Sequence, residues 1–310
     1  MILVTGAMGT IGSELVPQLV EQGARVRAGI HHPGLVAAAP EVLCKTMDFL
    51  QPETLDQAII GCRRMFLLTP FHPRQGEMAR NLIEAARRCD VEYIVGISCM
   101  ADPDSNIGSW HHAEEQAIAE SGIPYDIVRA NTYMQNLALY GAETIRSEGE
   151  LQAPEGADKV SYVDVRDAAS VAAALLLRDK PEGKTHVVTG SEALTNTGMA
   201  EILSDAIGKR VEYVDVSEEM YRDTLRDQAL PDWLVEALVE MAGYHRRGLS
   251  SEVTDVVQTL TGKRPITFGE FARDYASAFL HDRPQHPPAH QRERRNGGTR
   301  AGRQKPVSRS

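Results

Sequence analysis

Through the first two-thirds of the chain, short unbroken apolar runs alternate with longer segments whose apolar residues recur every three or four positions. Unbroken runs fit strands buried on both faces of a parallel sheet, and the longer spacing fits helices that cover it. Strands are predicted over residues 2–4, 24–30, 44–47, 64–69, 93–98, 125–130 and 186–189. Helices are predicted over 11–22, 52–60, 75–89, a segment ending at Glu120, and 165–177, with a further one beginning at 131–136. In the first helix Ile11, Leu15, Leu19 and Val20 share a face; in the third, Met78, Leu82 and Ala86 do. This alternation predicts an α/β fold, a Rossmann-type doubly wound parallel sheet.

The last third loses the alternation. Helices are predicted over 196–207, 218–226, 232–245 and 268–280, with short strands at 150–152, 160–163 and 211–216. That pattern suggests a smaller, mostly helical C-terminal substrate domain. The expected division is 1–190 for the first domain and 191–280 for the second, with 131–155 contributing to the cleft between them. Trp233, Leu238, Met241 and Tyr244 either line a pocket there or pack as core.

Between the first strand and first helix lies Gly6-x-x-Gly9-x-x-Gly12. Gly6 permits a tight turn, Gly9 lets backbone approach a diphosphate, and Gly12 lets helix and strand pack closely. With the free N–H groups of the helix start, this is a dinucleotide-binding pattern. Gly6, Gly9, Thr10, Ile11 and Gly12 are its candidate residues.

The end of the second strand should select the cofactor. An NAD-preferring site places an acidic residue there, about twenty residues past the glycines. No acidic residue occurs between Ala24 and Pro40; Arg27, His31 and His32 stand there instead. Imidazoles facing a 2′-phosphate would favour NADPH over NADH, so NADP is the expected cofactor. Asp48 and Phe49 fall at the third strand end, where Asp48 either contacts adenine or caps the next segment. Thr69, Pro70 and Ser98 end the fourth and fifth strands, beside the expected nicotinamide.

A short-chain reductase usually carries Tyr-x-x-x-Lys on the helix after that serine, the lysine lowering the tyrosine pKa for proton transfer. No tyrosine or lysine occurs between Ser98 and Glu120, and His112 with Gln116 holds the equivalent spacing. His112 and Tyr133 are therefore the candidate catalytic residues, with Asn131 as a further polar group and Trp110 as a stacking surface. His111, His112, Glu114 and Glu115 lack a third ligand at metal-site spacing, so no metal is expected. Asp164 should cap the following helix, and Arg166 should pair with Asp167.

Composition narrows the partners. The 310 residues are 42% hydrophobic and 25% charged, as in globular proteins, and carry a net charge of −10. From residue 281 onward eight basic residues face two acidic ones, leaving −16 on the rest. An acidic body speaks against nucleic acid, and a tail poor in apolar residues should be disordered. No apolar run is long enough for a membrane span. The strand at the N-terminus predicts no signal peptide, and the unspaced Cys44, Cys62, Cys89 and Cys99 predict reduced thiols in a cytoplasmic monomer or homodimer.

Assembled, these residues resemble the NmrA-like, atypical short-chain dehydrogenase/reductase family. The likeness rests on residues 2–12, the Asp48 strand end, the stretches 121–129, 133–136 and 159–168, and 261–271. Within the family it looks most like reductases of azo, quinone and triphenylmethane compounds. The resemblance implies a cofactor in the cleft, with Gly6, Gly9, Thr10, Ile11 and Gly12 on its pyrophosphate. Many relatives place an arginine at the second strand end, and here His31 takes that position. It further implies hydride transfer to a small aromatic or quinonoid acceptor, with the proton supplied by His112 or water. The family also contains cofactor-sensing regulators without turnover, which is the alternative reading.

Overall fold

The computed structural model describes residues 1–31 and 42–281. His32 and the basic tail from residue 282 lie outside the described residues. Seven parallel strands form the main sheet in the order β3-β2-β1-β4-β5-β6-β8. They are β1 (Ile2–Val4), β2 (Val26–Ile30), β3 (Val42–Thr46), β4 (Arg64–Leu67), β5 (Tyr93–Cys99), β6 (Tyr125–Ala130) and β8 (Thr185–Val188). Ile2, Leu3 and Val4 are all buried, as the unbroken run requires. The chain moves outward from β1 to β3, then returns to the other side of β1 for β4, so the order reverses between β1 and β4. Crevices at such reversals are where open α/β sheets bind ligands.

Helices cover both faces. One core joins α1 (Gly12–Glu21) and α6 (Val165–Leu177) to the sheet through Leu15, Leu19, Val171, Ala172 and Leu175. The other joins α2 (Leu55–Ile59), α3 (Gln75–Arg88) and α4 (Asn106–Glu120) through Leu55, Leu82, Ala86 and Ile118. Asp164 caps α6, accepting from the Arg166 N–H at 2.9 Å. Arg166 does not pair with Asp167, as the sequence suggested. Its guanidinium reaches back to Asp164 and across to Asp274, while Asp167 accepts from the Ile266 N–H.

A third core gathers α5 (Ala142–Ser147), β7 (Glu150–Ala153), α7 (Asn196–Ile207), α11 (Phe268–Asp274) and α12 (Ala276–Leu280) around Leu203, Phe268, Phe271 and Phe279. β7 pairs in parallel with β9 (Glu212–Asp215). A fourth cluster joins α8 (Glu218–Asp227) to α9 (Asp232–Arg246), with Tyr140 packed against it.

Four local expectations change. Residues 160–163 form no strand, only isolated bridges from Val163 to Tyr133 and from Val160 to Leu194. The helix expected to begin at 131–136 starts only at Gln135 and passes through a π turn at Leu137–Gly141 into α5. The helix expected over 268–280 breaks at Tyr275 into α11 and α12. An unanticipated helix, α10 (Val256–Thr261), returns to α6, with Val257 buried in the first core. Among the described residues all four cysteines are free, and no helix is long and apolar enough to cross a membrane.

Candidate active site

The site is assembled at the carboxyl ends of β1, β4, β5 and β6. Thr5, just past β1, is fully buried and accepts from the Leu68 N–H at 2.8 Å. It thereby fixes β1 to β4 at the point where the sheet order reverses. The glycine turn follows. Gly6 has φ +61°, and the Gly9 N–H donates to the Gly6 carbonyl at 2.9 Å. A Cβ on Gly12 would lie 2.2 Å from the Gly6 carbonyl oxygen, a backbone atom that cannot move aside without opening the turn. Ile11, at the N-cap, makes no side-chain cap hydrogen bond, which leaves the first N–H groups of α1 uncapped by a side chain. The Ile11 side chain is buried in the core, so it can offer a ligand only its backbone; Thr10 is exposed.

At the strand end expected to select the cofactor the side chains divide. Arg27 turns away from it, donating to the carbonyls of Ala58 and Ile60 at 2.9 and 2.7 Å. His31 is exposed just past β2. Asp48 caps its own turn, accepting from the Leu50 N–H and the Gln51 side chain, each at 2.9 Å. Phe49 is half-buried against the α2–α3 core, its carbonyl held by Asn81.

Beyond β4 and β5 the candidates divide. Pro70 is exposed, while Thr69 and Ser98 are buried. The Thr69 hydroxyl donates to Glu114 of α4, a carboxyl with no exposed surface that also accepts from Gln75 at 3.0 Å. Burial pushes the Glu114 carboxyl up to about 8, against the opposing hydrogen bonds from Thr69 and Gln75. The neighbouring Glu115 behaves oppositely. Burial raises it, but the Arg129 guanidinium, 2.9 Å away, outweighs that and keeps it below the usual carboxylate range. His111 lies 3.4 Å from Gln75 and meets the Phe71 ring edge-on at 5.2 Å; burial lowers its pKa to about 4, which leaves it neutral.

His112 is not part of this group. It is exposed, one helix position away from the buried face that carries Ile107, His111, Glu114 and Ile118. Tyr133 is half-buried, and burial pushes its hydroxyl above the ordinary value, which disfavours the ionised form. Asn131 is occupied, donating to Ser161 and to the Ser250 carbonyl. Trp110 packs edge-on against Trp233 of α9 at 5.8 Å, and His72 approaches the same ring at 6.0 Å. Among the described residues no three His, Cys, Asp or Glu side chains are arranged to hold a metal.

Sequence reasoning missed a second polar group. His245, near the end of α9, meets the Thr132 hydroxyl at 2.9 Å and Glu155 at 2.8 Å. Glu155 also accepts from Tyr162 and Asn196. These buried contacts tie α9 to the end of β6, with Trp233 at the other end of the same helix.

The NmrA-like family profile matches residues 1–272. This chain belongs to the NmrA-like family. The NAD(P)H azoreductase of Xenophilus azovorans is 35% identical over 287 residues, covering 90% of this chain and 99% of that protein. The NADPH-dependent quinone oxidoreductase of Escherichia coli, solved with NADPH, aligns with a TM-score of 0.80 at 25% identity, covering 88% of this chain and 99% of its own. Triphenylmethane reductase of Citrobacter sp. aligns with a TM-score of 0.79 at 25% identity, covering 89% and 98%. For an NmrA-like protein the glycine turn is where a dinucleotide would be held, and at Gly12 the turn packs so closely on the Gly6 backbone that only glycine fits.

Proposed function

We propose that this NmrA-like protein is an NAD(P)H-dependent oxidoreductase that passes hydride to a conjugated electrophile of quinone, azo or triphenylmethane type. The observation that carries the reading is an α1 N-terminus that no side chain caps, behind a turn whose Gly12 has no room for a Cβ, at the sheet's reversal point. The named reductases among its relatives supply the acceptor class.

In this reading Gly6, Gly9, Thr10, Gly12 and the Ile11 backbone hold the pyrophosphate. His31 faces the 2′-phosphate and favours NADPH, Asp48 and Phe49 border the adenine, and Thr69, Pro70 and Ser98 border the nicotinamide. When bound, the cofactor supplies the hydride. The chain aligns the acceptor, through Trp110, Tyr133 and the apolar face of α9, and excludes water; alignment of this kind accounts for much of the acceleration in such transfers. The absence of a Tyr-x-x-x-Lys pair suits acceptors that are already electron-poor. A cytoplasmic setting fits the four free cysteines.

The experiment is quinone-dependent oxidation of NADPH by the wild type and by Gly12→Ala. The variant is expected to lose cofactor binding at least about 100-fold while keeping its circular dichroism. Undiminished binding would refute the placement. His31→Asp should move preference toward NADH; an unchanged ratio of the two cofactors would remove the histidine from 2′-phosphate recognition.

A further inference from the structure

One buried acid beside the strand ends has no part in the reading above. Glu114 has no exposed surface, and among the described residues no cation pairs with it. Its hydrogen bonds come from neutral groups only, Thr69 past β4 and Gln75 on α3, and both fall on one carboxyl oxygen. The other oxygen, Oε1, is buried with no hydrogen-bond partner among the described residues. The remaining charged or titratable neighbours do not neutralise it: His111 on α4 is buried, and Arg129 on β6 is taken by Glu115. An ionised carboxylate in that setting would carry a large desolvation cost, whereas a neutral carboxylic acid would not.

We propose that Glu114 is the proton store of the reaction, and that its carboxylic acid hands a proton through the Thr69 hydroxyl to the heteroatom of the reduced acceptor. The inference rests on the reductase reading and adds to it the proton source that the missing tyrosine–lysine pair leaves open. A quinone that has received a hydride carries one negative charge. With Glu114 neutral and loaded, the short contact runs the other way, its O–H donating to Thr69 Oγ1 while the Thr69 O–H turns to the acceptor. The Thr69 O–H bond then breaks as its proton joins the acceptor oxygen, and the Glu114 O–H bond breaks as its proton moves to Thr69 Oγ1. Quinone, reduced nicotinamide and one proton become hydroquinone and oxidised nicotinamide; with an azo compound the product is the hydrazine. Glu114 is then refilled from solvent. Thr69 is the catalytic residue in this scheme, and Glu114 acts through it. The carboxyl value of about 8 agrees with an acid that is loaded at neutral pH.

Two measurements on the full chain test this. Infrared spectra across a pH titration, without cofactor, should show a protonated carboxyl band that disappears near about pH 8 and is missing from Glu114→Gln. With NADPH and a quinone, Glu114→Gln and Thr69→Val should each lower kcat about 100-fold with little change in KM, while Thr69→Ser keeps most activity. The wild-type fall in kcat above about pH 8 should vanish in Glu114→Gln. Because Gln is isosteric, unchanged NADPH binding by that variant confirms an intact site. An infrared band that is absent at neutral pH overturns the proposal, as does a Glu114→Gln enzyme with wild-type kcat and pH profile. A wild type that binds NADPH yet reduces no quinone or azo acceptor overturns the reductase reading, and the transfer step with it; the infrared band then still reports the state of Glu114 separately.

Discussion

Asp126 and Glu114 are both carboxyl groups with no exposed surface, at opposite ends of one sheet. Asp126 lies near the amino end of β6, surrounded by partners: Tyr93 at 2.7 Å, His186 at 3.2 Å, the Arg178 guanidinium, and the N–H groups of Glu182 and Lys184 at 3.2 Å. Burial raises it, but hydrogen bonds from His186, Tyr93 and Arg178 outweigh that and hold it well below the usual carboxylate range. Among the described residues Glu114, beside the carboxyl end of β4, pairs with no cation and has one unpartnered oxygen, and burial pushes its carboxyl up to about 8. The amino end of the sheet is thus a satisfied ionic network, which fixes the edge strands. The carboxyl end, where α/β sheets bind ligands, keeps an unsatisfied group that a reaction can use.

The largest expected effect breaks the amino end. Asp126→Asn removes the buried one of the two carboxylates that Arg178 pairs with, leaving it only the exposed Glu182 at 2.9 Å, and should cost about 3 kcal/mol, read as a fall in the urea midpoint. Because the Asp126 pKa is depressed on folding, its contribution is complete above the unfolded value of about 4 and fades as pH falls. The variant should therefore lose part of the wild type's sensitivity to acid, and an unchanged acid transition would contradict the assignment.

Glu114 has the opposite sign. Its carboxyl binds a proton in the folded chain that the unfolded chain releases, between about pH 4.3 and the folded value of about 8. Across that window it lowers stability as pH rises, by about 1.4 kcal/mol per pH unit at most. Glu114→Gln should flatten this part of the stability profile and be the more stable protein near pH 9. A variant that follows the wild type throughout would show that Glu114 is ionised in both states. The smallest effect belongs to His112→Ala: an exposed imidazole outside the cluster should leave kcat within about twofold. A loss of tenfold or more would return the proton to His112.

The frame of the molecule was legible because it rests on local rules. Ile2–Val4 can only be a buried strand, Gly12 can only be glycine against the Gly6 carbonyl, and the apolar period of Val165–Leu177 requires a packed helix. Which side chains of α4 reach the strand ends was not read from the sequence, because it depends on which face of the helix turns inward. Placing His112 by analogy of spacing ignored a signal that was present: Ile107, His111, Glu114 and Ile118 recur at intervals of four, three and four, and so mark the buried face. Other features were beyond sequence reading. The His245–Glu155–Thr132 contacts join three segments far apart in the chain, and the break at Tyr275 falls inside a continuous helical pattern.

The most direct test of the central claim is consumption of NADPH and NADH, in parallel, against a panel of quinone and azo acceptors. The account predicts saturable turnover with at least one acceptor and a higher kcat/KM with NADPH. Tight binding of either cofactor without turnover on any acceptor would contradict it, and would make the protein a sensor of its cofactor.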